Sequence, residues 1–205
     1  MSRPRNDPDG HKIDCINNNA QCQKDLQKLA PGTKVDENGH VHKASLLHRA
    51  LNHLDGHGGG TALVTRLVNN SETVRVNPDP SQAAGNAGPG VVNYNPNGVN
   101  GVPEINSRGN ITIGSASGVD ILGHELIHQD HRLNGGWDNS IGEHVFEDSG
   151  QTFSEFGRKE EFRTVGFSPF VRPGDITENQ LRHEQGEPDR ATYRFDYTPV
   201  DPDQP

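Results

Sequence analysis

The chain has no run of about eighteen apolar residues, so nothing in it reads as a membrane-spanning helix. It has one methionine, one tryptophan and two cysteines, Cys15 and Cys22. Two thiols cannot complete a structural zinc knuckle, and no Cys-x-x-Cys spacing occurs. They lie close enough for a disulfide in an oxidising compartment; the plainer reading, which the sequence favours, is two free thiols. Basic residues are scarce, 19 Lys+Arg against 28 Asp+Glu, for a formal charge of −9. Phosphate binding needs a basic surface, so nucleic acid is excluded as the main partner, while neutral or basic polypeptides remain open. The opening Met-Ser-Arg-Pro-Arg-Asn-Asp-Pro-Asp-Gly lacks the apolar segment of a secretory signal peptide. Hydrophobic residues are also few, at 29%.

What is abundant is backbone punctuation: 24 Gly and 14 Pro, so a large share of the chain must be loop. The length, 205 residues, suits one domain with an arm. Residues 1–23 are polar and read as an arm or linker, 24–198 as the domain, and 199–205 as a disordered tail. Leu47, Ala50, Leu51 and Leu54 predict an amphipathic helix over 44–55 that stops at Gly56. The runs ALVTRLV and ETVRV flank Asn69-Asn70-Ser71 and predict a β-hairpin. Residues 77–109 read as a long loop with one short strand, Val91–Tyr94, and Asn110–Gly114 as a second strand. Helices are predicted near 117–133, 153–165 and 176–185. Strands followed by helices imply an α+β domain.

The informative stretch runs from Ser117 to Gly136. Ser117 and Asp120 have capping-box spacing, and Asn134-Gly135-Gly136 is a helix stop. Between them His124 and His128 sit at i and i+4 on one face, where two imidazoles can converge on one ion at about 2.0–2.1 Å. Glu125 stands roughly 100° around the helix, too far to ligate but near enough to take a proton from an activated water. His-Glu-x-x-His also occurs by chance. Here it has caps at both ends, a packing side of Leu122, Leu126 and Leu133, and a preceding strand (110–114) suited to be the edge that aligns an extended substrate. His131 shares the face but lies about 10 Å from His124 along the axis, too far to share the ion, and belongs behind the site or on the surface. His40, His42, His48, His53, His57, His144 and His183 read as solvated.

Zinc needs a third protein ligand and an open position. Downstream carboxylates include Glu143, Glu147, Asp148, Glu155, Glu160 and Glu161. On a helix over 153–165, Glu161 has small neighbours, Gly157 and Thr164, whereas Glu160 is flanked by Phe156. Sterics favour Glu161 modestly, and substitution of Glu160 is expected to leave metal binding nearly unchanged.

The blocks His-Glu-Leu-Ile-His-x-x-His-Arg-Leu-x-Gly, Glu160-Glu161-x-Arg-Thr-x-Gly, Ile176-Thr-Glu178-Asn-Gln-Leu and Arg190-Ala-Thr-Tyr193 resemble the light chains of clostridial neurotoxins. They resemble more closely the NleD-like zinc metallopeptidases of bacterial effectors and polymorphic toxins. The resemblance covers 110–195 and implies a zincin-like domain: a small twisted sheet with an edge strand beside the zinc helix. It implies Zn2+ held by His124, His128 and Glu161, with Glu125 as general base. It also implies Arg190 and Tyr193 facing the scissile carbonyl, and Glu178 steadying a ligand histidine or Arg190. Without it, Arg190 and Tyr193 read as a surface loop before a C-terminal strand (YRFDY), and Glu178 as an acid favoured at a helix N-terminus.

The function so implied is a zinc endopeptidase, secreted or delivered into a target cell to hydrolyse a protein there. A cognate immunity protein or a secretion chaperone is its expected companion. One alternative is a C-terminal toxin domain aimed at bacterial competitors; another is a binding module in which zinc is only structural.

Overall fold

A computed structural model describes residues 13–42 and 58–194, together with the backbone of 198 and 199. The predicted helix over 44–55 lies wholly outside the described residues, as do residues 1–12 and 200–205 of the arm and tail.

The remainder of the presumed arm is structured. Ile13–Cys15 forms strand β1, and Ala20–Leu29 forms helix α1, whose N-cap Asn19 accepts from the backbone N–H groups of Gln21 and Cys22. Cys15 and Cys22 are bridged, not free, and both are fully buried. The bond ties β1 to α1 across a separation of seven residues. Ile13 and Leu26 also lie in the main core. The polar residues at 17–19 that suggested a linker form the turn between two buried elements.

Short strands β2 (Lys34–Val35) and β3 (Val41–His42) pair with each other. The predicted hairpin after them is wrong in its first arm. Gly58–Val68 is helix α2, because Leu63, Val64, Leu67 and Val68 fall on one helical stripe and are buried together. Only the second arm is a strand, β4 (Val74–Pro78).

The presumed long loop holds three strands: β5 (Gly85–Gly88), β6 (Val91–Tyr94) and β7 (Val99–Ile105). β5 and β6 join through Pro89-Gly90, where Gly90 has φ +68°, a conformation glycine reaches without strain. Gly and Asn weaken the alternating signal, so pairing rather than side-chain pattern makes these strands. The main sheet has the order β1-β4-β6-β5, with β1, β4 and β6 parallel and β5 antiparallel at its edge. β7 pairs with β8 (Ile111–Ala116) as a separate two-stranded sheet. β9 (Ile141–Asp148), β10 (Gln151–Arg158) and β11 (Thr198–Pro199) form a third. The helix predicted over 153–165 is therefore strand β10 followed by the short helix α4, Lys159–Val165.

Helix α3, Gly118–Leu133, is the centre of the molecule, and residues 118–131 are all buried. It lies against β5 and β6 on one side and against α1, α2 and the last helix, α5 (Glu178–Glu184), on the others. A helix enclosed this way has its side chains fixed from every direction, which suits it to carry a site. The result is an α+β architecture of small sheets and five described helices.

Candidate metal centre

Both expected caps of α3 are present. The Ser117 hydroxyl accepts from the Asp120 N–H, and the Asp120 carboxylate accepts the Ser117 N–H at 2.7 Å. One turn apart inside this helix, His124 and His128 bring their Nε2 atoms to 3.0 Å. Glu161, in the first turn of α4, places Oε2 at 3.2 Å from His124 Nε2 and 3.0 Å from His128 Nε2. Three donors bound tetrahedrally to one ion at about 2.0–2.1 Å stand roughly 3.3 Å apart, so this triangle fits a metal with little adjustment.

The outer nitrogens support the same reading. His124 Nδ1 lies 2.7 Å from Glu178 Oε2, and His128 Nδ1 lies 3.1 Å from Glu160 Oε1. A carboxylate only accepts, so each imidazole carries its proton on Nδ1 and turns the Nε2 lone pair toward Glu161. Three electron-rich atoms aimed at one point call for a cation. In the metal-free chain a proton takes that place: burial lowers the His124 pKa, but hydrogen bonds to Glu161 and Glu178 outweigh it and push it up to about 10. Burial likewise works against the Glu161 carboxylate, and its bonds to both histidines hold it well below the usual range.

Glu125 is buried beside the triangle, and burial raises its pKa against the opposing pull of the two histidines. The backbone of Gly85 in β5 passes close beside its side chain. A Cβ at that position would stand 2.6 Å from Glu125 Oε1 and 2.8 Å from Ile121 Cγ2, so only glycine lets the edge strand pass this near. The strand beside the metal helix at Glu125 is thus β5; the one expected there, 110–114, belongs to the β7–β8 sheet.

The two C-terminal blocks converge on the same place. Glu178 opens α5, is fully desolvated, and bonds both His124 Nδ1 and Arg190 Nη1, the latter at 3.1 Å. Burial raises its pKa, and the Arg190 charge and His124 bond overcome that, setting it at about 2. Arg190 also donates to the carbonyls of Thr192 and Tyr193. Its own backbone N–H and C=O are clasped by the Asn179 side chain, at 2.7 and 3.1 Å. The Tyr193 ring stacks on His124 with centroids 6.4 Å apart. Burial and the nearby Glu161 charge raise the Tyr193 pKa, which keeps its hydroxyl a donor.

Several participants are absent from the sequence reading. Glu160 does not face away from the site: it is fully buried, and Oε1 bonds His128 and, at 2.7 Å, His131 Nδ1. The steric argument against it assumed a helix through Phe156, which instead sits exposed on β10. A usable signal existed, since His128 and His131 are three residues apart and share a helix face that one acceptor can serve. His131 is accordingly buried behind the site. His144, expected in solvent, is buried, stacks on Phe167 and bonds Glu155. The Glu155 carboxylate also accepts the N–H groups of Tyr193 and Arg194 at 2.8 Å each, pinning the Tyr193 segment. Trp137, unremarked in the sequence, lies 5.4 Å from His128 ring to ring.

No curated protein and no solved structure matches the chain. A family model described as an effector protein, Peptidase M91, matches residues 15–193. The match reaches well beyond the 110–195 block of motifs and takes in both bridged cysteines and helix α1. The chain belongs to this NleD-like M91 family of effector peptidases.

Proposed function

We propose that the chain is a zinc-dependent endopeptidase that acts as a delivered effector on a protein of the target cell. The observation that carries the reading is the convergence of His124, His128 and Glu161 at 3.0–3.2 Å with the buried Glu125 carboxylate beside them. Three nitrogen and oxygen ligands with room for one more suit zinc at a catalytic rather than a structural site. Zinc held there supplies Lewis acidity that polarises a peptide carbonyl and acidifies a water.

Glu125 takes the water's proton and passes it to the leaving amine; its raised pKa, a consequence of burial, suits both halves of that transfer. The Tyr193 hydroxyl donates to the oxygen that gains charge in the transition state. Arg190 spends one N–H of each of its three nitrogens on Glu178 and on the Thr192 and Tyr193 carbonyls, and so holds this segment in place. Nη1 lies within reach of both Glu178 oxygens, and the second N–H of Nη2 would donate to the scissile carbonyl. Glu178 fixes the orientation of His124 and the position of Arg190 together.

The substrate is an extended polypeptide added to β5. The Asn95 N–H donates to the Ala84 carbonyl, so alternation along the antiparallel pair turns the backbone groups of Gly85 and Ala87 to the free edge. A cavity of about 130 Å3, lined by Val99, Val102, Ala116, Ile121 and Tyr193 beside Glu125, takes an apolar side chain next to the cleaved bond. Glu125→Gln tests the reading: it is expected to retain about one zinc per chain while peptide turnover falls by about 10²–10⁴. Cleavage at the wild-type rate would sink the mechanism and bring the structural-zinc alternative forward.

A further inference from the structure

Four arginines among the described residues are buried or half-buried: Arg132, Arg163, Arg182 and Arg190. Three have a carboxylate partner, Asp175, Glu104 and Glu178 respectively. Arg132 has none. Its guanidinium lies over the Trp137 ring, 3.4 Å from the centroid, and Nη2 donates at 3.3 Å to the Ala87 carbonyl on the free edge of β5. Its Nε is buried without a partner. Half-burying a cation without a counter-ion is unfavourable, and stacking on an aromatic face offsets only part of that cost.

Arg132 also borders a groove of about 1010 Å3 that includes Thr73, Arg75, Gly90, Gln129 and Trp137. Glu72 is the one acid on its wall, against two arginines, so the groove is locally positive in a chain of net charge −9. Trp137 connects it to the metal triangle through its edge contact with His128.

We propose that Arg132, held flat by Trp137, forms a subsite that selects an Asp or Glu side chain on the N-terminal side of the cleaved bond. The proposal rests on the peptidase reading above. Direction follows from topology. β5 passes Glu125 at Gly85 and reaches Arg132 at Ala87. A peptide added antiparallel, the more stable pairing, runs the opposite way. Its residues before the bond then lie toward Ala87 and Arg132, and those after it toward Ala84. At about 3.4 Å per residue, the acid falls roughly one to three positions before the bond. The incoming carboxylate supplies the missing counter-ion, and the N–H groups of Nη1 are the donors available to it.

Trp137 is the sole tryptophan, so its emission reports on this subsite directly. The zinc-loaded Glu125→Gln chain would be titrated with blocked alanine-rich octapeptides carrying one Glu, one Gln or one Lys. The Glu peptide is expected to perturb Trp137 and bind about tenfold more tightly than the Gln peptide. Adding Arg132→Gln should erase that difference, Arg132→Lys should retain part of it, and Arg132→Glu should make the Lys peptide the tightest. Equal binding of the Glu and Gln peptides, or a difference that survives Arg132→Gln in a chain that still binds zinc, overturns the proposal. Wild-type cleavage sites in a proteome-derived peptide library, read by mass spectrometry, separate the two readings. Cleavage with no acid enrichment before the bond removes the subsite and leaves the peptidase. Charge-dependent binding with no cleavage of any peptide removes the peptidase and leaves an acid-binding groove.

Discussion

Glu160 and Glu161 are adjacent in the chain and meet the His128 ring from opposite sides. Glu161 reaches the Nε2 atoms where a metal would sit, and Glu160 reaches Nδ1 of His128 from behind. The difference predicts two grades of defect. Glu161→Ala removes one of three ligands and should abolish stoichiometric zinc binding. Glu160→Ala leaves the ligands in place but frees the His128 ring and strands His131, and should weaken zinc affinity by about 10–100-fold. Competition titrations against a chelator measure both. A Glu160→Ala chain with wild-type affinity would restore the original expectation that this residue is a bystander.

At the level of elements, the site depends on how closely β5 approaches α3. Gly85 has an ordinary backbone conformation, so alanine there is not forbidden by φ; what forbids it is Glu125, 2.6 Å from where the methyl would go. Gly85→Ala should push the Glu125 carboxylate aside and lower turnover by about 10²-fold, with zinc content unchanged. Kinetics alongside metal analysis check this, and unaltered kcat would show that β5 yields rather than Glu125. This contact could not be read from the chain, because it joins residues forty positions apart. The helix α3 itself could be: its caps, stop signal and histidine spacing are local. α4 could be placed only in part, since the β10 pairing that ends before it involves strand β9.

Across the whole molecule, the buried charges around the site tie stability to pH and to metal. Hydrogen bonds and nearby positive charge hold the Glu160 and Glu178 carboxyls at about 2 in the folded chain, against 4.5 for a free glutamate, so the stability they contribute is present above about pH 4.5 and is lost as pH falls toward 2. His124 is shifted the other way, from 6.5 to about 10 without metal. Its contribution is full below pH 6.5 and is lost as pH rises through 10. Metal-free protein should therefore melt highest between about pH 4.5 and 6.5, and roughly 5 °C or more lower by pH 9. Zinc requires neutral imidazoles, so its stabilising increment should grow over the same rise. Melting curves with and without zinc at pH 6 and 9 decide it, and a metal-free chain that gains stability toward pH 9 would contradict the assigned network.

What the sequence determined by itself was the part of the protein written at short range. The His124-Glu125-x-x-His128 helix, its caps and the α5 start at Thr177 follow from the 3.6-residue period and from side chains that bond their own turn. The motif blocks pointed to Glu161, Glu178, Arg190 and Tyr193, and folding brings all four around His124. Only tertiary structure decided the rest. Cys15 and Cys22 are bridged because β1 and α1 pack together, and a polar stretch gave no sign of that packing. ALVTRLV is a helix because its alternative, pairing as a hairpin, would have to expose the stripe that it buries. Glycine- and asparagine-rich β5 is a strand because β6 and α3 hold it, and its edge becomes a binding surface because nothing else among the described residues pairs with it. Local periodicity records which face of an element is apolar; it carries no information about which distant face will cover it, and that choice places Gly85, Glu160 and Arg132 at the site.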